Sequence, residues 1–142
     1  MTIAAILQSK GAEVLTVTGA TPVHEAVALL ASRKIGAVPV IEGGRVVGIM
    51  SERDVIYRLQ SDGATILDWT VGRIMTAPAI TVTPGSEIMS ALSLMTRRRI
   101  RHLPVVEDER LIGVVSIGDL VKFRMDKIEA EAAAMLSYIQ SV

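Results

Sequence analysis

Two short stretches carry the side chains best suited to chemistry. Ser51 and Asp54 stand three residues apart, and Ser116 and Asp119 repeat that spacing exactly 65 residues later. Beside them lie Arg53 in the first set, and Arg101 and His102 upstream of the second. An Asp in the first turn of a helix presents a carboxylate that can accept two hydrogen bonds from a vicinal diol, each worth about 1.5–3 kcal/mol because the acceptor is charged. The helix N-terminus beneath it adds free N–H groups and a dipole that favours a phosphate, and the Ser hydroxyl can donate to the same anion. Taken singly, each Asp is also an ordinary helix cap and each Ser an ordinary strand end. Recurrence of the set favours the ligand reading.

The recurrence extends well beyond these residues. Residues 14–57 align without a gap on residues 79–122, and fourteen of 44 positions are identical, among them Thr16-Val17-Thr18, Pro39-Val40, Gly48 and Arg45. The chain is therefore a duplication, and two copies of one unit pack with a pseudo-twofold axis that brings equivalent segments together into paired clefts.

Each unit reads in the same order. Val14 to Thr18 is a β-branched run, and Thr21-Pro22 supplies an N-cap and a first-turn proline for a helix carrying Val23, Ala26, Val27 and Leu30 at helical spacing. Ala37 to Ile41 and Arg45 to Met50 are strands joined through Gly43-Gly44, and a further helix runs from Asp54 to about Leu59. The second unit places a strand at Ile80 to Thr83, a helix from Ser86 to about Arg98, strands at His102 to Val106 and Leu111 to Val115, and a helix from Asp119. This divides the chain into a first unit at 10–60, a linker at 61–75, a second unit at 76–126 and a helical tail at 127–142. Units of this size are marginal alone, so the pair is expected to fold as one body.

Composition excludes several functions. Fifteen basic residues balance fifteen acidic ones, so no global field draws the chain to nucleic acid or an anionic membrane. The run Arg97-Arg98-Arg99-Ile100-Arg101 sits where a helix ends, as Arg33-Lys34 does in the first unit, and cations there complement the helix dipole. One Phe, two Tyr and one Trp make no stacking platform for bases. The chain has no cysteine, and its two isolated histidines show no metal-ligand spacing. His102, Ser116 and Asp119 superficially compose a Ser/His/Asp set, but Ser116 does not lie in a nucleophile elbow, so catalytic residues are not expected. The N-terminus lacks the basic segment of a signal peptide, which makes a cytoplasmic location the expectation.

The order strand-helix-strand-strand-helix, closed by Gly48-x-x-Ser51-x-x-Asp54 and Gly113-x-x-Ser116-x-x-Asp119, resembles the cystathionine β-synthase (CBS) domain. Ile35-Gly36-Ala37-Val38-Pro39-Val40 and Ile100-Arg101-His102-Leu103-Pro104-Val105 match as well. Two in tandem resemble a CBS pair, or Bateman module. The resemblance covers about residues 10 to 125. It implies an α+β fold of two β-α-β-β-α units, and a stand-alone, non-catalytic module that regulates by binding AMP, ADP, ATP, NAD(H) or, less readily, S-adenosylmethionine, in energy or redox sensing. In such pairs each ligand is shared between units. One site would join Lys10, Gly11, Val14, Ile35, Gly36, Ala37 and Val38 to Arg101, His102, Ser116 and Asp119. The other would join Thr76, Ala79, Ile100, Arg101 and His102 to Ser51, Arg53 and Asp54. The sites differ: Arg53 corresponds to Gly118, and Arg101-His102 to Gly36-Ala37. The small pair leaves bare backbone for an adenine ring and the cationic pair suits phosphate, so one site is expected to take a mononucleotide and the other a longer ligand such as a dinucleotide. The alternative is a constitutive interaction or scaffold module with degenerate clefts.

The tail carries a separate signal. Val121, Met125, Ile128, Ala132, Met135 and Ile139 follow a heptad rhythm on a helix whose other faces are charged. Self-association into a homodimer is expected, with folding back onto the chain's own module as the alternative. An unidentified regulated protein is the other expected partner.

Overall fold

The computed structural model describes residues 1–11 and 13–141. Helix α1 (Ile3–Lys10) precedes the first unit, which contains α2 (Val23–Arg33), the hairpin β1 (Ala37–Glu42) and β2 (Arg45–Ser51), and α3 (Glu52–Asp62). A 3-10 turn at Ala64–Asp68 and the short α4 (Val71–Ile74) lead to the second unit: α5 (Ile88–Arg98), β3 (His102–Glu107), β4 (Arg110–Ser116) and α6 (Ile117–Ser141). This is the expected α+β pair of units with a helical extension.

The hairpins are superposable in register. Ala37 faces Ser51 and Val40 faces Gly48 in the first, as His102 faces Ser116 and Val105 faces Gly113 in the second, with a bulge at Val40/Ile41 and at Val105/Val106. Helices α2 and α5 end alike, with Lys34 and Arg99 both left-handed at φ 54°. That terminus is where the basic run falls, as its dipole role requires.

Three sequence expectations shift. The opening strands Val14–Thr18 and Ile80–Thr83 shrink to single parallel bridges, Val17 to Val40 and Val82 to Val105. The chain turns away at once, because the Thr18 N–H donates to Thr21 Oγ1 (3.2 Å) and the Thr83 N–H to Ser86 Oγ (3.1 Å). These hydroxyls close the turn rather than cap the helix. The N-cap residues are instead Pro22 and Glu87. Third, the helix expected from Asp54 starts at Glu52 and continues to Asp62.

There are two cores, each centred on one hairpin, and each is completed by a segment from outside its own unit. The first gathers Val23, Val38, Val40 and Met50 with Ile66, Val71 and Ile74, and the second gathers Ile88, Leu103, Val105, Val115 and Leu120 with Ile3 and Ile6 of α1. Backbone bonds fix both additions: the Val71 N–H donates to Thr21 O (2.8 Å) and the Val23 N–H to Trp69 O (2.8 Å), while the Ile3 N–H donates to Ser86 O (2.9 Å). The chain's first helix thus belongs structurally to its second unit.

This crossing brings segments very close to the hairpins, at the two positions where glycine recurs. A Cβ on Gly48 would stand 2.8 Å from Thr76 O and 2.7 Å from Met75 Sδ; one on Gly113 would stand 2.6 Å from Leu7 Cδ2. The Thr76 carbonyl is fixed by its neighbouring bond, the Thr76 N–H donating to Ile49 O at 2.9 Å, whereas a Leu side chain can change rotamer. We therefore expect Gly48→Ala to cost about 1–3 kcal/mol and Gly113→Ala less. Urea denaturation midpoints of the two variants check the order; equal losses would show that the packing is looser than the geometry indicates.

Candidate functional site

Each helix that follows a hairpin begins with the same reciprocal bond. Ser51 is the N-cap of α3: its Oγ accepts from the Asp54 N–H (3.3 Å), and Asp54 Oδ2 accepts from the Ser51 N–H (2.8 Å). Ser116 and Asp119 repeat this at α6, at 3.1 Å and 2.8 Å. This capping box turns the strand sharply into the helix and aims the carboxylate out of the corner. It also engages Ser116 Oγ with backbone.

The carboxylates then meet different partners. Asp119 Oδ2 accepts from Lys10 Nζ at 2.7 Å, and the same ammonium donates to Val114 O at 2.8 Å, clamping the end of α1 to β4. Among the described residues, Asp119 Oδ1 has no hydrogen-bond partner. Burial raises the cost of ionising Asp119, but the bonds from Lys10 and Ser116 outweigh it and hold the carboxyl below its ordinary value. Asp54 is more fully engaged: Oδ2 also accepts from Ser51 Oγ (3.1 Å), and Oδ1 accepts from Thr76 Oγ1 (2.9 Å).

The cavities differ accordingly. The Asp119 cleft has a volume of about 350 Å³ and is lined by Lys10, Gly11, Val14, Ile35, Gly36, Ala37, His102, Ser116 and Asp119, together with Leu7, Glu13, Leu15, Lys34, Pro39, Gly113 and Val114. The Asp54 cleft is about 110 Å³ and is lined by Ser51, Arg53, Asp54, Thr76, Ile100, Arg101 and His102, with Gly36, Ala37 and Ile49. Clefts that hold a small molecule run to about 300–1,000 Å³, so of these two corners the Asp119 cleft is within that range and the Asp54 cleft is below it in this conformation.

Most expected residues therefore gather as the sequence suggested, and the exceptions have reasons. Val38 is fully buried in the first core, because strand alternation turns Val38 and Val40 inward while Ala37 and Pro39 line the cleft. Ala79 does not line either cleft. Arg101 borders the Asp54 cleft but not the Asp119 cleft; it pairs with Glu52 across the units, while Arg53 Nη1 donates to Arg99 O at 2.6 Å. The bare backbone expected at Gly36 is covered by the His102 imidazole, whose Cε1 would lie 2.8 Å from a Cβ on Gly36. Burial, then the charge of Arg101, push the His102 pKa below its ordinary value, leaving a neutral ring in the wall shared by the two clefts.

Several participants were not foreseen. Glu52 follows Ser51 directly and its charge opposite sign to Arg101 was the available signal. Lys10 and Asp119 were expected in one site as ligand contacts, but the direct bond between them, across 109 positions, has no local mark in the sequence.

Comparison with known proteins identifies the family. The CBS domain family matches residues 8–61 and 71–126. The CBS domain-containing protein CBSX3, mitochondrial, of Arabidopsis thaliana is 36% identical over 98% of this chain and 72% of its own length. The crystal structure of the CBS-domain containing protein ATU1752 from Agrobacterium tumefaciens superposes with a TM-score of 0.83 at 38% identity, covering 87% of this chain and 99% of that one. The fold is also that of CBSX2 in complex with AMP, with a TM-score of 0.74 at 23% identity over 88% of this chain and 97% of that one. Two matched domains and relatives of comparable length leave one reading of the architecture: the chain belongs to the CBS-domain family, as a tandem pair.

Proposed function

We propose that this chain is a non-catalytic regulatory module that binds an adenine nucleotide in the cleft between Gly36-Ala37 and Asp119, and that ligand occupancy reports energy or redox state to a partner protein. The observation that carries the reading is that Asp119 lines a cleft of about 350 Å³ while one of its carboxylate oxygens, Oδ1, has no hydrogen-bond partner among the described residues. A ribose diol is the complementary group. The AMP complex of a protein with this fold supports the same ligand class. AMP, ADP, ATP and NAD(H) remain the candidates, ahead of S-adenosylmethionine. The smaller Asp54 cleft, with its carboxylate held by Thr76, favours the second reading for that half of the molecule alone: a degenerate site serving interaction. No described helix is long and apolar enough to cross a membrane. We further take the module to be a homodimer and cytoplasmic.

A thermal-shift screen of these ligands tests the proposal. A stabiliser at 100 times its dissociation constant adds about 2.7 kcal/mol. Failure of every ligand to raise the melting temperature would favour the scaffold reading for both clefts.

Mutation separates the clefts. Asp119→Ala is expected to weaken the main binding event by roughly 10- to 100-fold, the loss of about 1.5–3 kcal/mol of charged hydrogen bonding, and 2′-deoxy ligands should lose a comparable part. Asp54→Ala should leave that event nearly intact. Calorimetry on variants first matched for melting temperature checks both statements, since each Asp also caps a helix.

His102 adds a pH dependence. Because the folded chain keeps this ring neutral where an unfolded one protonates, the ligand-free protein loses stability as pH falls below the ordinary imidazole range. A phosphate beside the ring raises its pKa, so nucleotide binding should take up a proton and tighten as pH falls through that range. Titration in buffers of different ionisation enthalpy should reveal the uptake in the native chain and its disappearance in His102→Gln. Equal uptake in both would place the phosphate elsewhere.

A further inference from the structure

Helix α6 has two apolar faces, and the module covers only one. Leu120 is fully buried and Ile117 and Phe123 pack beside it in the second core. The heptad seam lies roughly 100° round the helix from Leu120: Val121, Met125 and Ile128 are 41%, 54% and 48% exposed, and Met135 and Ile139 are 62% and 63% exposed on the part of the helix that runs past the body. Folding back is thus already accomplished by the inner face and leaves the seam untouched. The spacing 4, 3, 4, 3, 4 assigns Val121, Ile128 and Met135 to d positions and Met125, Ala132 and Ile139 to a positions. The outer half of the seam, from Ile128 to Ile139, lies on exposed helix beyond the second core, where a second copy can approach it.

The flanking charges select the direction of that second copy. Arg124 and Glu131 fall at g positions and Lys122 and Glu129 at e positions. In a parallel pair each g side chain meets the e side chain five residues further along the other helix, so Arg124 meets Glu129 of the partner subunit, twice by symmetry. In an antiparallel pair with the same apolar layers, e meets e and g meets g, which sets Glu129 against its own copy and Glu131 against its own. Like charges so placed oppose association, and nothing on the seam offsets them.

We infer that two copies of this chain associate through a parallel, in-register pair of α6 helices, with Arg124 of each bonded to Glu129 of the partner subunit. This rests on the homodimer reading above and gives it an orientation; it is independent of which ligand the clefts take. The arrangement points both C-termini the same way, so the two modules present equivalent surfaces side by side to a common partner.

The chain has no cysteine, so single cysteines report the geometry cleanly. Ile139→Cys should form a disulfide with its own copy on mild oxidation, while a mixture of Val121→Cys and Ile139→Cys chains should give no mixed product. Both positions are exposed, so neither change disturbs a core. Light scattering after size exclusion supplies the stoichiometry. Glu129→Arg should weaken the dimer severalfold, and adding Arg124→Glu should restore it. A mixed 121–139 disulfide would overturn the parallel orientation while leaving the dimer standing. A monomeric native chain, or a dimer that survives deletion of residues 127–142 unchanged, would remove the α6 contact itself.

Discussion

A serine and an aspartate three residues apart, each holding the other's backbone N–H, are the joint on which both halves of this molecule turn. The bond ends β2 and β4 and starts α3 and α6, so it fixes the angle at which a hairpin meets the helix that follows. It orients the carboxylate in both corners, and at Asp119 the bonds from Lys10 and Ser116 favour the charged form. A corner that must exist for the fold is thereby also a place where a charge faces a cleft. On the proposed reading, fold and function draw on the same two side chains, so a substitution at either is expected to disturb both.

What distinguishes the halves is what reaches the second oxygen. In the Asp54 corner Thr76 supplies a hydroxyl to Oδ1 from the segment that crosses β2. In the Asp119 corner the crossing segment is α1, and Lys10 takes Oδ2, which the cap already shares, leaving Oδ1 open. A duplicated sequence has in this way produced one closed corner and one open corner. His102 stands in the wall between them, over Gly36, so a ligand entering the larger cleft meets a ring that also borders the smaller one.

The repeat made most of this legible. Offset identity at Gly48/Gly113, Ser51/Ser116 and Asp54/Asp119 located both corners and both hairpins, since turn chemistry and capping are local and leave local marks. What escaped was non-local. Helix α1 lies outside the repeat, and its place in the second core follows from a chain path that no window of sequence contains. The opening strands carried strand composition but pair at one residue each, because a hydroxyl-closed turn follows immediately. Val38 shows the same limit at finer scale: its segment lines the cleft, while its own side chain faces the core. Arg101 was assigned to an anion and instead finds Glu52, a pairing that only the packing of the two units creates.

The central claim is that the two corners are unequal and that the open one receives the nucleotide. Electron density from crystals grown with an adenine nucleotide tests it most directly. The account predicts density in the cleft of Asp119, with the ribose hydroxyls against Oδ1 and the base along Gly36-Ala37 after the His102 ring has moved. Density seated instead on Asp54, with the Asp119 carboxylate facing an unfilled cleft, would contradict it.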